Sequence, residues 1–445
     1  MNELDPDSGQ REPPATSARA VAGRVVYHVL TQQAFVSETL DRELGRSGLA
    51  DRDRALATEL SYGVIRLERA LAARLDALSR RGAASTDPLA RAHLLIAAYQ
   101  LLALDRVPAF AAINEAVEAL RRARGPRVAG FGNAILRRLA AEPKLELPGA
   151  LESSVPPWLW AQLERSVGRE AALGLLGATG AAARRGLCVR LTARAASSSP
   201  PLAWLASAEP GQVAPGALWL PPSGDLRRLA GYAEGAFVVQ EEGAQWSALA
   251  LGAQPGERVL DACAGHGQKA SLLAERLGPT GRLWVNDLVP RKLERLGQEF
   301  RRLGLPLPEC RSVDLASTVG DLPADMQRVL VDAPCTGTGT LRRRPEIANR
   351  LVESDPSRLA EQALKLLCNA ASLVPPGGRV LFVVCSVLRA ECEDVVERAR
   401  HVLEPAPFEA PEAQRVAGPG QWQCRLLPQI HGTDAYYVAS FQRRA

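Results

Sequence analysis

The sequence predicts a multidomain chain made of an all-α helical bundle, a small α+β connecting subdomain and an α/β domain with a mostly parallel sheet. Three observations predict it. From about Ala18 to Ala141 the apolar residues keep helical periodicity, and a proline-rich hinge, AEPKLELPGALESSVPPWL, then interrupts the chain. After FVVQEEGAQW the rhythm becomes strand, loop, helix, as in a sheet covered by helices on both faces.

Residues 1–16 are acidic, polar and proline-containing and read as a disordered N-terminus. Residues 17–143 form the bundle. Val21, Val25, Val29 and Leu30 make one apolar stripe, and AHLLIAAYQLLALD is apolar enough for a central helix. Pro108 precedes an amphipathic run, AFAAINEAVEALRRA, that Gly125 and Pro126 stop. Residues 144–235 hold the hinge, a helix (WAQLERSVGREAALGLL) and weaker strand-like runs such as LCVRLTA. Residues 236–445 hold the strands RVLDAC, RLWVND, RVLVDAP and RVLFVVCS, separated by helical runs such as KASLLAERLG and RLAEQALKLLCNAASLV.

Hydrophobic residues make up 47% and charged residues 23%, a globular composition, and no apolar run approaches the ~20 residues of a membrane helix. The N-terminal stretch lacks the basic start and apolar core of a secretory signal. A cytoplasmic monomer with no membrane partner is therefore expected. Eight cysteines without short regular spacing argue against a disulfide framework, and no Cys/His cluster suggests a metal. Net charge is only +5, but arginines cluster at Arg121-Arg122, Arg137-Arg138, Arg301-Arg302 and Arg342-Arg343-Arg344. Planar guanidinium groups suit phosphate, so RNA is a candidate partner, although solvated helix faces explain the same charges.

The run VLDACAGHGQKA places Cys263, Ala264, Gly265, His266, Gly267, Gln268 and Lys269 between a strand and a helix. Small residues let a ligand approach the backbone, and a helix N-terminus offers unpaired N–H groups. Asp287 ends the next strand, where a carboxylate can accept from both ribose hydroxyls, and Asp314 closes the third strand in a similar, adenine-side position. Neither GxxxxGK[ST] nor a full GxGxxG is present. S-adenosylmethionine, which carries a sugar but no phosphate, fits better than NAD.

Asp332 and Cys335 follow one predicted strand in VLVDAPCTGTGTLRRRPE, and Cys385 follows another in LFVVCS. Open α/β sheets bind ligands at the carboxyl ends of their strands, so the three should share one crevice. Methylation of a pyrimidine at carbon needs such a set. C5 of cytosine is a poor nucleophile until a thiolate adds to C6 and makes the ring enamine-like. The reaction asks for a low-pKa cysteine, an acid or hydrogen-bond partner at the base edge, for which Asp332 is placed, and a group that assists thiol elimination. Free cysteines are mostly small buried hydrophobes, and Cys188, Cys263, Cys310, Cys368, Cys392 and Cys424 are read that way. Cys335 is not, because the polar TGTG and then RRRP follow it.

At these residues the chain resembles the Sun-type RNA cytosine-5 methyltransferases that carry an N-terminal NusB-like domain. Their DAPCSGTG-like loop is matched from Asp332 to Gly339 with Thr336 for Ser, their RR-x-P by the arginines before Pro345, and their TCS motif by Val384-Cys385-Ser386. YQLLALDRVPAFAAINEAVE and FGNAILRRL are similar to the NusB-like RNA-binding domain, FVVQEEGAQ to the approach strand and HGTDAYYVASFQ to the closing hairpin. The resemblance covers nearly all of the chain after about residue 17. It implies a Rossmann-like class I methyltransferase fold, S-adenosylmethionine as cofactor, Cys385 as nucleophile and Cys335 as the aid to product release. It also implies RNA as partner, small-subunit rRNA in particular, and the clusters at Arg137 and at Arg342 and Arg343 predict salt-dependent phosphate contacts.

The chain departs from the pattern in two places. DACAGHGQKA stands where the family usually has DACAAPGGKT, with His266 read as a loop residue rather than a catalyst, and Arg190-Leu191-Thr192 stands where the family tends to have R-x-N. The same chemistry on tRNA is one alternative. A non-catalytic RNA-binding or ribosome-assembly factor is another, motivated by the altered glycine loop and opposed by the joint presence of Asp332, Cys335 and Cys385. A third exchanges the cysteines, with Cys335 as nucleophile by analogy with DNA cytosine methyltransferases.

Overall fold

A computed structural model describes residues 15–79, 87–177, 187–192, 202–220 and 226–444, the side chains of 187, 188 and 226 excepted. The expected disordered stretch, residues 1–16, lies outside them but for its last two residues. The chain divides into two compact units, residues 1–156 with 344–349, and residues 157–343 with 350–445.

The first unit is helical. Its main helices span Ala18–Gln32, Val36–Ser47, Asp51–Arg66, Glu68–Ala77, Pro88–Ala103, Ala109–Leu139 and Leu147–Ser153. The side chain of Ser17 accepts the Ala20 N–H at 3.2 Å, and Asp87 accepts those of Leu89 and Ala90 at 3.1 Å ahead of Pro88 in the first turn. These are local capping signals. Pro88–Ala103 is buried without a break from Leu94 to Leu102, as its apolar run predicts. Gly125 and Pro126 interrupt the next run without stopping it. The backbone at Gly125 leaves the helical region (φ 81°, ψ 178°), and helix resumes through Leu139 because proline is tolerated in a first turn.

In the second unit, helices Pro157–Val167 and Arg169–Leu175 precede an antiparallel sheet of β1 (Leu187–Leu191), β2 (Glu209–Pro210), β3 (Ala217–Leu220) and β4 (Phe237–Val239), ordered β2-β3-β1-β4. A larger sheet follows, built from β5 (Arg258–Asp261), β6 (Arg282–Asn286), β7 (Glu309–Arg311), β8 (Arg328–Asp332), β9 (Arg379–Val384), β10 (Leu403–Pro405), β11 (Gln423–Leu426) and β12 (Tyr436–Arg443). Its order is β10-β12-β9-β8-β5-β6-β7, with β11 on β12. Pairings among β5 to β9 are parallel and those of β12 antiparallel.

Val259, Leu330, Leu381 and Val383 join one core with Leu272, Leu296 and Phe300, while Leu260, Val329, Val331 and Phe382 join the other with Met326, Ala363 and Leu367. Alternate residues thus face opposite cores, as expected of a sheet covered on both sides. Helix Pro290–Leu303 buries only Leu293, Leu296, Phe300 and Leu303, one stripe at helical intervals, and burial of each large side chain contributes ~1.5–3 kcal/mol. Strand order reverses at β5, which lies between β8 and β6, so the crevice expected of such a sheet opens at the carboxyl ends of these strands. Among the described residues, no helix is long and apolar enough to cross a membrane.

Candidate active site

Register brings the cysteines together. Asp332 of β8 pairs with Val383 of β9, so Cys335 and Cys385 leave the sheet side by side within three residues of that pair. Their sulfurs are 3.5 Å apart and both thiols are free. The pKa of Cys385 is lowered, first by the hydrogen bond from Cys335 and also by the Lys269 ammonium, against burial and the carboxylates of Asp332 and Asp434. The same contact pushes the Cys335 thiol well up, and burial adds to it. Of the two, Cys385 is disposed to be the thiolate.

Lys269 starts in the glycine loop, but its side chain reaches the cysteine end of the crevice. Its Nζ donates to Asp332 Oδ2 at 2.6 Å and lies 5.6 Å from the centre of the Tyr436 ring. Burial penalises this ammonium, yet Asp332, with Cys385 and Asp261 adding to it, outweighs the penalty and the lysine pKa rises. The loop after Cys335 is tied to Cys385 through Gly339, whose N–H donates to Cys385 O at 2.9 Å and whose carbonyl accepts the Ala435 N–H at 3.0 Å. A Cβ at Gly339 would stand 2.2 Å from Ala435 O, so the approach admits only glycine.

The loop after β5 runs from Cys263 through Ala264, Gly265, His266 and Gly267 into helix Gln268–Leu277. Gly267 has φ 83° and lies where a Cβ would be 2.5 Å from Leu296, which lets the helix pack closely. Gly265 N–H donates to Asp287 Oδ2 at 3.0 Å, and Asp287 Oδ1 accepts the Val289 N–H at 2.9 Å. Asp287, just past β6, therefore braces the loop. Gln268 donates to Val239 O at 3.0 Å, His266 is exposed, Ala264 is buried, and burial raises the Cys263 thiol pKa.

Asp314 is not where the sequence places it. β7 ends at Arg311, and Asp314 is exposed in the following turn, accepting from Ala316 N–H at 3.2 Å and Ser317 Oγ at 2.8 Å. The edge strand is short, so its apolar run ends before the acidic residue. Asn286 holds that turn to the glycine loop: its Nδ2 donates to Ala262 O at 3.2 Å and Val313 O at 3.0 Å, and its Oδ1 accepts the Val313 N–H at 2.9 Å.

The residues present fit S-adenosylmethionine. Asp261 is buried, its Oδ1 has no hydrogen-bond partner, and its pKa is pushed to about 7, first by burial and then by Asp332. An orphaned acceptor beside a glycine loop, with the carboxylates of Asp287 and Asp332 close by, suits a cationic ammonium or sulfonium and disfavours a pyrophosphate.

Two expectations are corrected. Arg342 is not available to phosphate at the surface, whereas Arg343 keeps an exposed side chain. Arg342 is buried, and both bind the fully buried Asp434, with Arg343 Nε donating to Oδ2 at 2.7 Å and Arg342 Nη2 to Oδ1 at 3.4 Å. Cys310 is exposed rather than buried, because β7 is the edge of the sheet. Arg190 is buried and donates to Ser271 Oγ at 3.1 Å and to Glu275, so it joins β1 to the helix that starts at the glycine loop. Arg137 is exposed on the Ala109–Leu139 helix and donates to Asn133 at 3.2 Å. Sequence reasoning missed Asn286, Asp434 and Glu391. The carboxylate of Glu391 accepts from Thr336 N–H at 2.7 Å and from the Thr336 and Ser386 hydroxyls at 2.5 Å each.

A doubly covered, mostly parallel sheet with a glycine loop after one strand and paired cysteines after two others defines an S-adenosylmethionine-dependent methyltransferase, here with a helical unit preceding it. Residues 248–442 match the model of the 16S rRNA methyltransferase RsmB/F family and residues 16–141 that of the NusB family. Ribosomal RNA small subunit methyltransferase B of Thermus thermophilus is 35% identical over 411 residues, covering 91% of this chain and 92% of that one. The protein of the same name in Pseudomonas putida is 32% identical, covering 95% and 97%. The solved structure of PH0851 shares the fold with a TM-score of 0.79 at 20% identity, over 97% of this chain and all of that one. The chain belongs to the RsmB/F family of methyltransferases, of Sun type with an N-terminal NusB-like domain.

Proposed function

We propose that this chain transfers a methyl group from S-adenosylmethionine to C5 of a cytosine in small-subunit rRNA, through an adduct between Cys385 Sγ and C6. The observation that carries the reading is the pair of free cysteines, one after β8 and one after β9, whose sulfurs lie 3.5 Å apart beside the Lys269–Asp332 pair. When bound, S-adenosylmethionine supplies an electrophilic methyl group. The Cys385 thiolate adds to C6, and C5 gains the electron density to attack. Asp332, held by Lys269, accepts a hydrogen bond from the base edge. In release the C5 proton passes to water, the C5–H electron pair re-forms the C5=C6 double bond, and the C6–Sγ pair leaves with Cys385 as thiolate, to which the Cys335 thiol, 3.5 Å away, donates a hydrogen bond.

The relatives in Thermus thermophilus and Pseudomonas putida, ribosomal RNA small subunit methyltransferases B by name, favour small-subunit rRNA as the substrate. The exposed Arg137 offers a phosphate contact from the helical unit. The test is transfer of labelled methyl to unmethylated small-subunit rRNA by wild type and Cys385→Ala, with the product nucleoside identified by mass. 5-Methylcytidine from wild type and none from the variant is expected. Transfer to another atom, or undiminished transfer by Cys385→Ala, would reject the reading.

A further inference from the structure

We propose that Glu391 is a positioning residue that sets the approach of Cys335 to Cys385. This rests on the reading of that pair as release aid and nucleophile. Thr336 and Ser386 each follow one of the two cysteines, and the same carboxylate holds both. Its Oε1 accepts the Thr336 N–H at 2.7 Å, and its Oε2 accepts the hydroxyls of Thr336 and Ser386 at 2.5 Å. Ser386 Oγ also lies 3.0 Å from Thr338 Oγ1, which accepts the Val387 N–H at 3.2 Å.

This cluster sits where the strand ladder has ended: β8 stops at Asp332 and β9 at Val384. Beyond that point the two loops are joined by the Gly339 contact, by Thr338 and by Glu391, and of these Glu391 holds the residues next to both cysteines. Glu391 is only 1% exposed. A carboxylate in such a place carries a desolvation cost that apolar packing would avoid, so its use points to the fixing of position rather than to bulk stability. Losing it would leave three donors without their acceptor and let the cysteine loops drift apart.

The test reads the thiols directly. Cys385 alkylation by iodoacetamide is followed across pH by mass spectrometry in wild type, Glu391→Gln and Thr336→Val, each checked by thermal melting. Cys385 is faced by Cys335, Asp332, Lys269, Asp434 and Tyr436, and none of these is altered. Removing the Glu391 charge alone would lower the midpoint of the profile, whereas losing the Cys335 contact raises it. The expected result for Glu391→Gln is a higher midpoint, with alkylation at neutral pH slower by about three- to tenfold. Its adduct with rRNA should also outlast that of wild type. Thr336→Val keeps the charge and the side-chain volume, and should shift the midpoint the same way by less. An unchanged or lower midpoint in a Glu391→Gln protein that melts like wild type would overturn the proposal. Should that variant not fold, an unchanged midpoint in Thr336→Val does so. If wild type makes no 5-methylcytidine, the methyl-transfer reading fails while the alkylation profile still decides the role of Glu391.

Discussion

The glycine loop after β5 and the cysteine loops after β8 and β9 are each served by a buried carboxylate, in opposite ways. Asp261 keeps an oxygen with no partner and is pushed to about 7 by burial. Glu391 has both oxygens occupied by three donors from the loops it joins. An acceptor left open has capacity for a ligand that arrives; an acceptor filled from within holds groups that must already be in place. A cofactor that enters and leaves needs the first arrangement, and a pair of thiols that must stay in contact needs the second.

Changing the cysteines should break this contrast most completely. Cys385→Ala is expected to reduce methyl transfer by about 10³-fold or more, because no thiolate remains to activate C5. Cys335→Ala should still attack but release slowly, so that a covalent protein–RNA species accumulates on denaturing gels. An adduct formed by Cys385→Ala and never by Cys335→Ala would exchange the two roles.

Asp434→Ala asks whether a filled carboxylate is needed near the cysteine loops for structure alone. Asp434 is fully buried and binds Arg342 and Arg343, so its removal leaves guanidinium charge without its partner. A loss of about 3–5 kcal/mol in denaturant unfolding is expected. A loss below about 1 kcal/mol would mean that the arginines reach water easily, and would return them to the role of phosphate contacts.

The alternation of strands and helices, the glycine loop and the two cysteines were legible because each is local: a run of apolar residues, a turn, a motif at a strand end. Glu391, Asn286 and Asp434 were not, because their roles lie in pairings across 55, 27 and 92 residues. A charged side chain gives no sequence sign of being buried, which is also why Arg342 was read as facing solvent. The contact of Lys269 with Asp332 was not legible either, since a long side chain reaches beyond its own motif. Asp314 was misplaced because the edge strand β7 pairs on one side only and ends early.

Asp261→Asn tests the open acceptor, with the smallest effect of the three. Burial raises the folded-state pKa of Asp261 to about 7, against ~3.9 in an unfolded chain. Between these values the folded state holds a proton that the unfolded state has lost, so stability from this group is full below about pH 4 and falls as pH rises toward 7. Asp261→Asn should remove that part of the slope in thermal melts from about pH 3.5 to 8, leaving the variant as stable as wild type at the low end and more stable at the high end. Affinity should move the other way. Where wild type binds S-adenosylmethionine more tightly as the carboxylate forms, the amide should bind about tenfold more weakly at pH 8 by calorimetric titration, with little dependence on pH. A variant that gains stability without losing affinity would show that the unpartnered oxygen is strain in the strand end and that the cofactor is held by the glycine loop and Asp287 alone.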